Sequence, residues 1–352
     1  MGHYGYIKGT RIMKSVGSIL FEPSGTLMFR GPMEFSPTVR GPQTIARTLP
    51  LPLPSTIAGC LTTLLLDKGI SSLPKVYTSW EDALVQVLEL NDEACLRGPY
   101  LLVDDEVYVP FEEGLIKLRD LLEKFKEINV KEVIYKGRLF RDVLEPIMIR
   151  LKKVEHVGIG LEKVSKAVKR GLLYSAEFID YLSTFKGRKV SIAIDIHGMT
   201  ALSKLPSTEQ YVMRLGGEEK TVRIKINERS YLWEDVSRIM REIESKRECL
   251  MYMVSPTLIK TPLADLTPVV TTRRPKFSIN GIDVELLVGR IDALGAGFDV
   301  RRGVRKPMYA SLTYGSLLIA KIEQVDLIKL YQCGLSDVGS KLGYGTFIPL
   351  PT

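Results

Sequence analysis

Between Val157 and Leu182 apolar and polar positions alternate in two runs. The first run reaches Gly158 and Gly160, and a basic excursion carrying Lys163, Lys166, Lys169 and Arg170 follows. In the second run Leu172, Tyr174, Ala176 and Phe178 share one side, and Leu173, Ser175, Glu177 and Ile179 the other. A period of two is that of a strand, so 157–182 predicts a long β-hairpin with a cationic tip. Burying such a tip would leave its charges unsolvated. It is either a solvated surface or a reach towards something anionic.

The same reading orders the rest of the chain. A first strand is predicted over Ile12–Phe21, ending at Glu22-Pro23. From there to Pro54 glycines and prolines interrupt any regular ladder, which predicts an ordered loop carrying Arg30, Arg40 and Arg47. Ser55 or Thr56 is placed to cap a helix that runs to about Lys68 and stops at Gly69. The span 70–150 reads as an insertion. It holds a short helix near Trp80–Leu90, a hairpin around YLLVDDEVYVP, and an amphipathic helix with Leu115, Leu118, Leu122 and Phe125 on one face. After the basic hairpin, VSIAIDI alternates as a half-buried strand, and RLGGEEKTVRIKI places a glycine pair before another strand. YLWEDVSRIMREIESK reads as a helix and LMYMVS as a buried strand. GSLLIAKI, VDLIKLYQCG and VGSKLGYGTFIPLP then repeat strand, helix, glycine turn and strand. That order occurs twice, which predicts an α+β chain of two ferredoxin-like (RRM-like) domains, 1–228 and 229–352. The first bears the helical insertion and the hairpin.

Charge changes this picture modestly. Lysine and arginine total 49 against 41 acids over 352 residues, a net charge of +8. A histone-like tail is excluded, while a basic groove on a mixed surface, or an ion-paired surface, is compatible. Cys60, Cys95, Cys249 and Cys333 have no close pair, which argues against a zinc ribbon, a Cys-x-x-Cys redox site and a secreted disulfide framework. A reducing cytoplasm is the expected location. The most apolar run, STIAGCLTTLLL, is too short to span a bilayer, and the first residues lack the apolar core of a secretory signal. No membrane contact is expected. No Walker loop, paired carboxylates or Ser-His-Asp order appears, and His3, His156 and His197 are the only imidazoles. Neither a catalytic residue, a metal nor a cofactor is expected.

Several positions are candidates for an anionic partner such as a nucleic acid. Arg30, Arg40 and Arg47 lie where glycine-freed backbone N–H groups and guanidinium groups can meet phosphate, or else pair with acids or a neighbouring protein. Gly216 and Gly217 let a backbone approach a nucleotide, or else form a plain hairpin. Gly343, Tyr344 and Gly345 do the same beside Lys341, with a cation for phosphate and a ring for stacking. The tract VRRGVRKP offers Arg301, Arg302, Arg305 and Lys306 as a flexible basic loop for a nucleic acid or for an acidic protein face. Tyr174 points with Leu172 and Phe178 and is expected in the core.

Seven short blocks in order carry a family resemblance: FEPSGTLMFRGPMEF, PSTIAGCLTTLLL, GIGL followed after the charged excursion by GLLYSAEF, LGGE at 215–218, the strand ending Ser255-Pro256, RKPMYASLTYGSLLIAKI, and GYGTFIPLP. Together they resemble the third subunit of the Cmr complex, the type III-B CRISPR RNA-guided effector, within the RAMP superfamily. The likeness covers most of the chain outside 70–150. It departs in the first loop, where Gly25 and Arg30-Gly31-Pro32 stand in place of an acid and Arg-Asp-Gly. The resemblance implies a non-catalytic scaffold in antiviral defence. Such a subunit holds the repeat-derived 5′ tag of crRNA and links the large polymerase-like subunit to the first backbone RAMP subunit. The rivals are a CRISPR-processing endoribonuclease of the same superfamily and an adaptor that touches only protein. The endoribonuclease needs a general acid–base pair that the first helix and the glycine loops do not offer.

Overall fold

A computed structural model describes residues 6–7, 10–11, 15–31, 45–91, 93–127, 140–161, 168–198, 200–243, 248–261, 276–289, 291–299, 304–321 and 326–350. A short ribbon, β1 (Tyr6–Ile7) with β2 (Thr10–Arg11), precedes an antiparallel sheet of eight strands. Across that sheet run β12 (Tyr211–Arg214), β13 (Thr221–Asn227), β3 (Ser15–Pro23), β11 (Val190–His197), β5 (Cys95–Val103), β6 (Glu106–Phe111), β7 (Gly114–Lys117) and β8 (Met148–Arg150). The basic hairpin is β9 (Lys152–Leu161) paired antiparallel with β10 (Val168–Asp180), and β4 (Ile45–Ala46) lies parallel to β10. A second sheet runs β15 (Lys276–Ile279), β16 (Ile282–Val288), β21 (Leu317–Lys321), β14 (Glu248–Met253) and β22 (Phe347–Leu350). Two ribbons flank it, β17 (Ile291–Gly295) with β20 (Met308–Leu312), and β18 (Phe298–Asp299) with β19 (Val304–Arg305).

The helices are α1 (Pro54–Asp67), α2 (Trp80–Leu88), α3 (Leu118–Glu127), α4 (Phe140–Leu144), α5 (Tyr181–Thr184), α6 (Tyr231–Ile243) and α7 (Leu327–Cys333). Strand alternation in the large sheet feeds two cores. Ile19, Phe21, Leu101, Val103, Ile192, Ile194 and Ile196 face α1, whose Ile57, Leu61, Leu64 and Leu65 cover them. Leu20, Tyr100, Leu102 and Ala193 point the other way, towards α6 and the second sheet. On α6, Leu232, Val236, Ile239 and Ile243 form the buried stripe at helical spacing.

Three expectations are corrected here. VSIAIDI is buried on both faces rather than half-buried, because α1 covers one face of β11 and α6 the other. The span 70–150 is no appended insertion: it supplies β5, β6, β7 and β8, half of the large sheet, and every residue of β5 is buried. Runs such as YLLV and VYVPF are apolar on both sides because both sides are covered. Finally, α1 starts at Pro54 with no side-chain cap, since the Ser55 hydroxyl is engaged elsewhere. The two sheets part between Asn227 and Glu248, a stretch that contains α6.

Candidate nucleic-acid interface

The loop after β3 folds onto the hairpin. Leu27 and Ile179 exchange backbone hydrogen bonds of 3.0 and 2.7 Å, and Ile45 and Ala46 pair with Ser175 and Ala176 of β10. Within the loop Arg30 opposes Thr48, whose hydroxyl accepts from the Phe29 N–H at 2.9 Å. Met28, Ala176 and Phe178 form a small apolar cluster beneath the contact. The exposed side chains of Arg30 and Arg47 thereby stand beside the hairpin base. His156 meets the Phe178 ring edge-on at 4.7 Å, and the Lys220 ammonium lies 4.9 Å from that ring's centroid. Among the sequence candidates, Arg40, Lys163, Lys166, Arg301 and Arg302 lie outside the described residues. Lys169 and Arg170 lie on β10, and Arg305 on β19.

The glycine pair joins this face. A Cβ on Gly216 would stand 2.4 Å from the Met28 carbonyl oxygen, at φ +85°, and the Gly217 N–H donates to that same oxygen at 2.9 Å. Glycine is therefore required here by the chain's own loop. The turn then presents Glu218, whose carboxylate pairs with Arg30 at 3.0 Å.

The second glycine turn is different, and the stacking role expected of Tyr344 is corrected. Its ring is wholly buried, and its hydroxyl shares a 2.9 Å hydrogen bond with Ser55. Gly343 and Gly345 are buried too; a Cβ on Gly345 would meet the Leu335 carbonyl oxygen at 2.2 Å. The Gly343 carbonyl accepts from Ser255 and Thr346. Lys341 is half-buried, with its ammonium 3.5 Å from the Leu90 carbonyl oxygen. This turn clamps the C-terminal strand to α1 and offers no face to a base. Lys306 sits 4.7 Å from the centroid of Trp80, so the base of the basic tract is anchored on α2.

A cleft of about 780 Å³ continues from the Arg47 side of the face. Its lining includes Arg47, Arg141, Lys153, Glu112, Glu113 and Asp292. Lys153, on β9, donates to Glu113 at 3.0 Å and forms an ion pair with Glu177 at 3.2 Å. Those two carboxylates hold its ammonium above the usual lysine range, against burial, which acts the other way. Lys153, Arg141, Lys220 and Glu113 were not singled out from the sequence. Each is one charge among 90 such residues in the chain, and their positions on β9, on α4, just before β13 and between β6 and β7 are far apart in sequence.

A buried polar cluster lies between the two sheets. Arg97 is fully buried, donating from Nε to the Tyr331 carbonyl at 2.6 Å, from Nη1 to the Leu96 and Ser340 carbonyls at 2.6 and 2.7 Å, and from Nη2 to that of Gln332. Asp195 accepts from Ser18 (2.8 Å), Tyr100 (2.5 Å) and the Trp233 N–H (2.8 Å). Burial pushes its carboxyl up to about 7, against those three donors. His197 is also buried, with both ring nitrogens unpartnered, and burial together with the Arg97 charge pushes its imidazole well below the usual range. All three have zero exposure, so the cluster holds the sheets together and is closed to a substrate. Among the described residues no group of three or more His, Cys, Asp or Glu side chains is placed to hold a metal, and no helix is long and apolar enough to cross a membrane.

Comparison with known proteins adds four findings. The family model described as CRISPR-associated protein (Cas_Cmr3) matches residues 19–132 and 141–351. The CRISPR system CMR subunit Cmr3 of Saccharolobus solfataricus is 26% identical over 326 residues, 88% of this chain and 88% of its own length. A chain of the type III-B Cmr-beta assembly bound to cognate target RNA and AMPPnP shares the fold, with a TM-score of 0.63 at 21% identity over 94% of this chain and 95% of that one. A chain of Cmr-beta bound to cognate target RNA gives 0.62 at 22% identity, over 94% and 96%.

Proposed function

The chain belongs to the CRISPR-associated Cas_Cmr3 family, and we propose that it is the scaffold subunit that holds the 5′ tag of crRNA in a type III-B effector. It links the large polymerase-like subunit to the first backbone RAMP subunit and leaves RNA cleavage to its neighbours. One observation carries this reading: Arg30 and Arg47 converge on the base of a hairpin whose strands lead to Lys163, Lys166, Lys169 and Arg170. Single-stranded RNA is held by cations along its backbone and by loops that reach splayed bases, which a flat mixed-charge surface does not provide. In the sequence, Arg40 and the tract Arg301, Arg302, Arg305 and Lys306 add further cations.

The fold reading is of two ferredoxin-like units, divided near 228. Strands β13-β3-β11-β5 stand in the order fourth, first, third, second, and β22-β14-β21-β16 repeat that order, which supports it. The adaptor reading draws support from Arg30, Lys153 and Arg141, each already paired with a carboxylate of the chain.

The test is to purify the native assembly through this chain, irradiate it, and sequence the RNA attached to it. Guides that share one repeat-derived 5′ end, crosslinked through that end to the hairpin or the Arg30 loop, are expected. Guides crosslinked only to other subunits would make the chain an adaptor.

A further inference from the structure

Lys153 lies between two carboxylates of unequal freedom. Glu177 is 22% exposed in its side chain and Glu113 71%. Glu113 occupies the tight turn between β6 and β7, where Phe111 pairs with Gly114 and Glu112 takes φ +48°. The turn hangs its carboxylate at the cleft mouth beside Arg47 and Arg141. Lys153 by hydrogen bond, then Arg47 and Arg141 by charge, hold that carboxyl below its usual range. Arg141 itself pairs with Glu112 at 3.3 Å.

Lys153 is shared between Glu113 and Glu177, and Arg141 between Glu112 and Glu145 at 3.3 and 3.9 Å. If Glu113 swings into solvent, Lys153 keeps a single carboxylate partner and the Arg47 and Arg141 charges lose a neighbouring anion, which leaves room there for a phosphodiester. An exposed ion pair of this kind contributes little to stability, so the swing costs little. A phosphate offers two acceptor oxygens to a lysine and an arginine fork together.

We propose that Glu113 is a displaceable placeholder for an RNA phosphate at the cleft mouth, where Lys153, Arg47 and Arg141 form the phosphate seat. The inference rests on the RNA-binding reading above and adds the path of the strand, from the hairpin base into the cleft. Glu177 is the fixed counter-ion of the seat and Glu113 the mobile one, so affinity is set by competition between carboxylate and phosphate.

The experiment compares the full chain with E113Q and with E123Q, an equal charge change on α3, where Glu123 pairs with Arg119 away from the cleft. Each is titrated with a labelled single-stranded RNA oligonucleotide and, separately, with inorganic tripolyphosphate. E113Q should bind RNA about three- to fivefold more tightly than the unaltered chain, the factor expected from removing one exposed ion-pair competitor. E123Q should change it by less than about 1.5-fold, because salt screens distant charge. Adding K153M to E113Q should abolish the gain. Equal gains in E113Q and E123Q, or a gain that survives K153M, would overturn the placeholder and leave RNA binding standing. Tighter tripolyphosphate binding by E113Q with no RNA binding by any form would keep the phosphate seat and remove the RNA reading. No response of E113Q to either probe overturns the proposal.

Discussion

Replacing Arg97 with Met should destabilise the protein by about 4 kcal/mol while leaving the hairpin face untouched. The guanidinium is fully buried on β5 and reaches four carbonyls, those of Leu96, Tyr331, Gln332 and Ser340. Two of these belong to the last turn of α7, where carbonyls have no intrahelical partner and a cation meets the negative end of the helix dipole. A hydrogen bond from a charged donor contributes about 1.5–3 kcal/mol, so a plain sum would reach about 6–12 kcal/mol. Such values do not add, and water entering the variant would satisfy some carbonyls, which brings the loss to about 4 kcal/mol. Methionine keeps most of the stem's packing, so the loss reports the polar contacts rather than a cavity. Lysine should recover only part of the loss, to about 2 kcal/mol, because one ammonium has three donors and no planar fork. Urea denaturation of the full chain, followed by tryptophan fluorescence, reads the effect, since Trp233 packs 5.3 Å from Tyr331. If R97M lies within about 1 kcal/mol of the unaltered protein, the clamp between the sheets is not what it is described to be.

The buried pair Asp195 and His197 should give opposing pH slopes. Asp195 is lifted to about 7 by burial, so its stabilising contribution is complete below about pH 4 and is lost as pH rises through about 7. His197 is depressed, so protonation favours the unfolded chain and stability falls as pH drops below about 6.5. D195N should expose the histidine slope and H197F the aspartate slope between pH 4 and 7 in urea midpoints; unchanged slopes in both would refute the assignment. Tyr344→Phe should lower stability by about 1 kcal/mol through the lost Ser55 bond and leave RNA affinity unaltered, whereas a base-stacking ring would show the reverse in a binding titration. Gly216→Ala, which sets a Cβ against the Met28 carbonyl, should cost at least about 1 kcal/mol of stability and weaken RNA binding by moving the Arg30 loop; a neutral melt and titration would contradict that coupling.

Much of the fold is written in local patterns. The helical stripe of α6 and the strand–helix–glycine-turn order near the C-terminus follow from short-range periodicity, and those elements stand where they were expected. What local pattern does not carry is the number of layers that cover a strand. The segment 95–117 alternates weakly because both its faces are buried, and that made central strands look like an insertion. Similarly, LGYGT reads as an exposed turn until Arg97, Ser55 and Ser255 are known to close over it. The candidate site was half legible: the arginine loop and the hairpin were visible, but their meeting depends on β4 pairing with β10 across about 130 residues of chain. Lys153 and Glu113 gained meaning only from that meeting.

The central claim is that Arg30 and Arg47 neutralise RNA phosphates, and the salt dependence of binding tests it most directly. For single-stranded RNA each phosphate contact contributes about 0.7 to the slope of log K against log salt. Replacing Arg30 and Arg47 together with Ala in the partly assembled complex should flatten that slope by about 1.4, measured with the authentic 5′ tag and with a scrambled one. A flatter slope, together with a preference of the unaltered protein for the authentic tag, is the expected result. An unchanged slope with no preference between the two tags would contradict it and leave these arginines to a protein partner.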